Sequence, residues 1–134
     1  MMHFGVRHFV DLTCDGELYP YIHLLTSDCS YLRLPMRSMG VPQSVDEMHR
    51  LVDEIERLTR QEGYTYVHCY RGAGRTGLVT ACYEARQMRD ATLEKVIDAA
   101  SAKFANMPKS ARCKLLDGEN QLLFLGEFVK SCRR

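Results

Sequence analysis

The spacing of apolar residues along the chain changes period several times, and each change marks an element. Residues 6–12 (VRHFVDL) and 30–34 (SYLRL) are short runs of β-forming residues that predict strands, the second stopped by Pro35. Asp15-Gly16 between them is a turn signal. Val45, Met48, Leu51, Val52, Ile55 and Leu58 then recur at helical spacing, which lines one helix face. The capping box Ser44-x-x-Glu47 opens that helix, and Gly63 suits its C-terminal cap. Residues 64–68 (YTYVH) return to strand character and run into Gly72-Ala73-Gly74. Helical patterns follow over 76–89, 92–104 and 117–130, with Gly118 and Gly126 working against the last.

Strand, helix, strand, helix order predicts an α/β fold with a central, mostly parallel sheet of about four short strands flanked by helices. Ligands of such sheets bind beyond the carboxyl ends of the strands, which is where Cys69 falls. Length narrows this to one domain over 1–134. A chain of 134 residues with 46% apolar content buries roughly two-thirds of its unfolded surface around one core, and no repeat or linker divides it. The formal charge of +1 supplies no field for nucleic acid or an anionic membrane, so any anion has to be recognised locally. Apolar stretches such as 122–125 fall far short of the ~20 residues of a membrane helix. Residues 1–7 (MMHFGVR) lack the apolar region of a signal peptide. A cytoplasmic monomer without a membrane anchor is therefore expected. Cysteines at 14, 29, 69, 82, 113 and 132 form no C-x-x-C pair, which argues against a zinc site and a disulfide scaffold. Five of them are expected to be packing residues in a reducing compartment.

The sixth, Cys69, is placed differently, in His68-Cys69-Tyr70-Arg71-Gly72-Ala73-Gly74-Arg75-Thr76-Gly77. A cysteine leaves a strand, five residues pass, and an arginine opens a helix. The pattern suits a tetrahedral dianion. Backbone N–H groups of residues 70–75 curl around phosphate oxygens where Gly72 and Gly74 permit close approach, and the helix start adds the positive end of its dipole. Arg75 offers two parallel N–H groups, a geometry lysine lacks. The same surroundings favour a thiolate at Cys69 and so make it a nucleophile. Thr76 is placed to donate its hydroxyl to that sulfur, and His68 to order the loop. Two rival loops fit less well. Gly72-x-Gly74-x-x-Gly77 has the dinucleotide spacing, but the following segment 92–104 is helical rather than a second strand. A Walker loop needs a Gly-Lys-Ser/Thr that is absent.

Residues 68–77 match every specified position of His-Cys-x-x-Gly-x-Gly-Arg-Thr-Gly, and on them the chain resembles the cysteine-dependent protein tyrosine phosphatase superfamily, in its small dual-specificity-like branch. The likeness extends to 9–13 as a first core strand, to Tyr31-x-x-Leu34-Pro35 and 39–42 as the general-acid loop and its exit into a helix, and to Gln121-x-x-Phe124 as the terminal helix. It implies a phosphatase loop between a strand and a helix, with Tyr70, Arg71, Gly72, Ala73, Gly74 and Arg75 around the phosphate. It implies hydrolysis of phosphomonoesters without metal or other cofactor, in which Cys69 forms a phosphocysteine and Arg75 holds the equatorial oxygens. The expected substrate is a phosphorylated protein, carrying phosphotyrosine and by extension phosphoserine or phosphothreonine, or a small phosphoester. The alternatives are a pseudophosphatase that holds a phosphorylated partner and a phosphoinositide or inositol-phosphate phosphatase, for which Arg71 and Arg37 would attract a second phosphate.

Two departures from the family pattern matter. Ser38 stands where the general-acid Asp belongs. A serine is no general acid at neutral pH, so aryl phosphates, whose leaving groups depart unprotonated, are expected to be favoured. Asp28, Asp46 and Glu47 are the substitute acids to consider, although acids at helix starts more often act as caps. The family also carries a further stretch, often an edge strand, ahead of the first strand read here, so either the domain is minimal or an N-terminal segment is missing, and the exposed edge would then need cover. Gln121 is expected to be structural rather than a water-positioning group, and Cys14 and Cys82 packing residues rather than redox partners of Cys69.

Overall fold

The structure, a computed structural model, describes residues 5–14, 16–17, 21–37, 40–69, 74–105, 115–116 and 118–132. Its centre is a parallel sheet of three strands among these residues, β1 (Val6–Asp11), β2 (Ser30–Arg33) and β3 (Tyr64–His68), in the order β2-β1-β3. Register pairs Phe9 with Tyr31 on one side and with Tyr66 on the other. The middle strand is buried from His8 to Asp11 on both faces, as a parallel strand covered on two sides must be, and so shows no alternation. Polar groups buried in this way need partners, and His8 has two: Ser30 Oγ at 3.2 Å and the Glu62 carbonyl at 3.0 Å.

Among the described residues four α-helices complete the fold: α1 (Val45–Thr59), α2 (Gly74–Gln87), α3 (Leu93–Ala105) and α4 (Glu119–Cys132). The Ser44 hydroxyl accepts the Glu47 N–H at 3.0 Å, and Glu47 Oε1 accepts the Gln43 N–H at 3.1 Å, so the expected cap is present. Met48, Leu51, Val52, Ile55 and Leu58 form the buried stripe of α1. The helix ends earlier than its expected glycine: its C-cap is Arg60 in helical conformation. Gly63 instead turns the chain into β3 at φ +96, with the Arg7 side chain packed where a Cβ would stand. The Thr92 hydroxyl accepts the Lys95 N–H at 3.2 Å and caps α3. α2 is the hub of the helical layer and packs against α1, α3 and α4. Leu78, Val79, Ala81, Cys82 and Ala85 join Leu125, Phe128 and Val129 of α4 and the α1 stripe in one core. No helix among the described residues is long and apolar enough to cross a membrane.

Two glycines inside helices serve opposite purposes. A Cβ on Gly77 would fall on the carbonyl oxygen of Leu115, so the 115–116 segment can lie against the start of α2 only because that residue has no side chain. A Cβ on Gly126 would have Leu93 Cδ2 as its nearest neighbour at 3.9 Å, ordinary contact. We therefore expect Gly77→Ala to destabilise the fold by roughly 1–3 kcal/mol through overpacking and Gly126→Ala to stabilise it by about 1 kcal/mol through helix propensity. Urea midpoints at unchanged m-value test this; equal shifts in the two variants would contradict it.

Candidate active site

Backbone pairing continues past the strand ends and gathers the loops that follow them. The Leu12 N–H meets the His68 carbonyl at 2.9 Å, the Leu34 N–H the Asp11 carbonyl at 3.0 Å, and the Met36 N–H the Leu12 carbonyl at 3.0 Å. Cys69 lies at this carboxyl edge, one residue beyond β3 and buried. α2 begins at Gly74, two residues before the expected start, which puts Arg75 and Thr76 in its first turn. The Thr76 hydroxyl donates to Cys69 Sγ at 3.1 Å. Tyr70, Arg71, Gly72 and Ala73 lie outside the described residues, as does Ser38.

Arg75 is the most constrained side chain here, at 3% exposure. A guanidinium has five N–H donors, and three of them are committed. Nη1 donates to Glu17 Oε1 and to the Met36 carbonyl, each at 2.8 Å. Nη2 donates to Glu17 Oε2 at 2.5 Å. Nε–H and the second Nη2–H, on one edge of the guanidinium, have no partner among the described residues. That edge has the geometry of a two-pronged contact with phosphate. The pairing holds the Glu17 carboxyl below the usual carboxylate range and Arg75 above its own.

A second polar network joins the three strands behind Cys69. Asp11 Oδ1 accepts from the Thr13 N–H at 2.9 Å and the Thr13 hydroxyl at 2.6 Å, and Oδ2 accepts from the Tyr31 hydroxyl at 2.6 Å. Burial opposes charge at Asp11, but these bonds outweigh it and its carboxyl titrates below the usual value. Tyr21 Oη and His68 Nε2 are 2.6 Å apart. Burial holds the Tyr21 phenol protonated and lowers the His68 pKa, and His68 also bonds the backbone of Cys69. The ring thus anchors the loop's first residue. Burial and the bond to Asp11 push Tyr31 up to about 12.

The acids considered from sequence stand elsewhere. Asp28 accepts from the Thr26 hydroxyl and pairs with Arg7, at the opposite end of the sheet. Glu47 caps α1. Asp46 lines a cleft with His49, Arg86 and Ser131, and Arg86 lies eleven positions, about 16 Å of helix, beyond Arg75. Gln121 is fully buried and donates to the Gly40 carbonyl at 2.9 Å, tying α4 to the loop before α1. Arg37 is exposed just after Met36. Among the described residues no disulfide joins Cys14, Cys29, Cys69, Cys82 or Cys132, and Cys82, deep in the core, has its pKa pushed well up by burial. Sequence reasoning missed Glu17 and Tyr21. The available signal for Glu17 was its position directly after a turn at the carboxyl end of a strand.

Comparison with known proteins identifies the family and the fold. Residues 1–119 match the family described as PTP-SAK, Swiss Army Knife protein, DSP-PTPase phosphatase domain. Over 81 residues the chain is 35% identical to the putative tyrosine phosphatase 197R of Invertebrate iridescent virus 6, a match covering 58% of this chain and 30% of that protein. The putative tyrosine phosphatase 067L of Invertebrate iridescent virus 3 is 34% identical over 84 residues, 59% of this chain and 34% of that protein. The chain thus spans about a third of the curated relatives it matches. Among solved structures, kinase associated phosphatase (KAP) superposes with a TM-score of 0.77 at 20% identity, covering 97% of this chain and 72% of that one. P. aeruginosa TpbA in complex with pTyr gives a TM-score of 0.64 at 19% identity, over 98% and 74%. At these identities the likeness is one of fold.

The titrations behind Cys69 give stability a defined pH dependence. His68 and Asp11 both have folded pKa values below their unfolded ones of 6.5 and 3.8. Each therefore contributes stability that is present above its unfolded value and lost as pH falls through its folded value, because the unfolded chain binds more protons there. Stability should decline first below 6.5 and again below 3.8. Asp11→Asn should cost roughly 1–3 kcal/mol near neutrality, and the gap to wild type should narrow in the second window. Urea unfolding across this range checks it; a gap independent of pH would be the contrary result.

Proposed function

Because the chain belongs to the DSP-PTPase family of phosphatase domains, we propose that it hydrolyses phosphate monoesters through a phosphocysteine on Cys69, favouring aryl phosphates such as phosphotyrosine in proteins. The observation that carries this reading is the meeting of three groups at one helix start: a thiol, a hydroxyl 3.1 Å from its sulfur, and a buried guanidinium with one edge uncommitted. Cys69, ionised beside Arg75 and the start of α2, attacks phosphorus along the line of the ester bond. The phosphorus–oxygen bond breaks and the aryloxide departs with its electron pair. Arg75 spreads its free edge over two equatorial oxygens as they gather charge. Water then attacks the phosphocysteine and releases phosphate. The Thr76 hydroxyl donates to the sulfur as it regains its charge.

Preference for aryl esters follows from the residue at the expected acid position in the sequence and from the charge of the two paired carboxyls. Ser38 replaces the expected acid, and Asp11 and Glu17 are both held ionised. A phenol of pKa about 10 leaves without a proton, whereas an aliphatic alcohol, nearer the 15.7 of water, does not. A phosphoserine peptide should therefore be cleaved about 10²–10⁴-fold more slowly than an aryl phosphate. Cys69→Ser should abolish both activities. Ser38→Asp should raise the phosphoserine rate more than the aryl rate. Absence of aryl phosphatase activity in wild type would sink the reading; equal rates on the two esters would reveal an acid that Ser38 does not represent.

A further inference from the structure

Glu17 is built into the site from a segment far from the Cys69 loop. Its N–H donates to the Cys14 carbonyl at 3.1 Å, and its Oε1 accepts the Cys14 N–H at 3.0 Å. Gly16 closes this turn at φ +82, with nothing packed around it, so the constraint there is backbone conformation rather than space. The carboxylate is thereby delivered end-on to Arg75, taking Nη1 and Nη2 while the Met36 carbonyl takes the remaining Nη1–H. Three fixed acceptors on two sides leave the guanidinium no freedom to rotate about its bonds.

We propose that Glu17 is a positioning residue: it fixes the plane of Arg75 so that the Nε–Nη2 edge, which has no partner among the described residues, already faces the phosphoryl group. The inference rests on the phosphatase reading above. It predicts an unusual division of effects. A fixed fork matters most when oxygens move and gather charge in the transition state, whereas a dianion in the ground state is attracted by any nearby guanidinium and repelled by the carboxylate. Glu17→Gln removes that repulsion and opposes an amide N–H to one guanidinium N–H. It should lower kcat on an aryl phosphate about 10–100-fold, while inorganic phosphate binds as tightly as to wild type or more tightly. Glu17→Asp retains the charge at shorter reach and should fall between the two.

A second measurement does not depend on turnover. In wild type, ¹H–¹⁵N spectra should show separate Nη–H signals for Arg75, assigned by Arg75→Lys, because rotation is blocked; in Glu17→Gln they should average. An unchanged kcat in a folded Glu17→Gln overturns the proposal. So does a raised kcat with tighter phosphate binding, which would mean that Glu17 merely competes with substrate for Arg75. Averaged signals in wild type overturn it whatever the activity. Resolved signals in an inactive wild type would leave the positioning role standing and refute the phosphatase reading alone.

Discussion

A guanidinium buried at the first turn of a helix is tolerable only if it is paired, since an unpartnered charge removed from water costs several kcal/mol. Arg75 meets this demand with one carboxylate and one backbone carbonyl, and both come from loops that would otherwise have no reason to approach α2. The pairing holds the loop after β1, through Glu17, and the loop after β2, through Met36, against the helix that follows β3. The ends of all three strands are thereby drawn to one point. The charge proposed to hold phosphate is also the charge that organises the surrounding loops.

Behind it lies a layer with a different task. Asp11, Thr13, Tyr31, Tyr21 and His68 satisfy one another across the sheet, and the rings of Phe9, Tyr21, Tyr31, Tyr66 and His68 pack edge to face or stacked. Each polar group there is held in one protonation state, His68 neutral and Asp11 charged. Such a layer gives Cys69 a rigid floor, and the hydrogen-bond donor at its sulfur comes instead from Thr76 on α2. In the proposed reaction, departure of the ester oxygen is left to the chemistry of the ester itself.

Local features of the chain were the most legible ones. The period of α1, its cap, the short strands and the His68–Gly77 pattern depend on neighbours within a few residues, and the helix, its cap and the strands appear where expected. Gly63 shows where that reasoning ends. A glycine five residues past a helical stripe resembles a cap, yet it is held by Arg7, more than fifty positions away, because β1 and β3 pair there. The acids show it again. Asp28, Asp46 and Glu47 carry the right group, but their places are set by the strand end, cleft and cap they occupy.

By itself, then, the sequence determined the elements, the place of Cys69 at a strand end and the arginine at a helix start, because these follow from local conformational preference and from chemistry within ten residues. Only the tertiary structure decided which carboxylate faces Arg75. Glu17 and Arg75 are 58 positions apart, and nothing in either segment announces the other. Their meeting follows from the parallel pairing of β1 with β3, which carries two distant loops to the same edge of the sheet, and from the need of a buried charge for a partner.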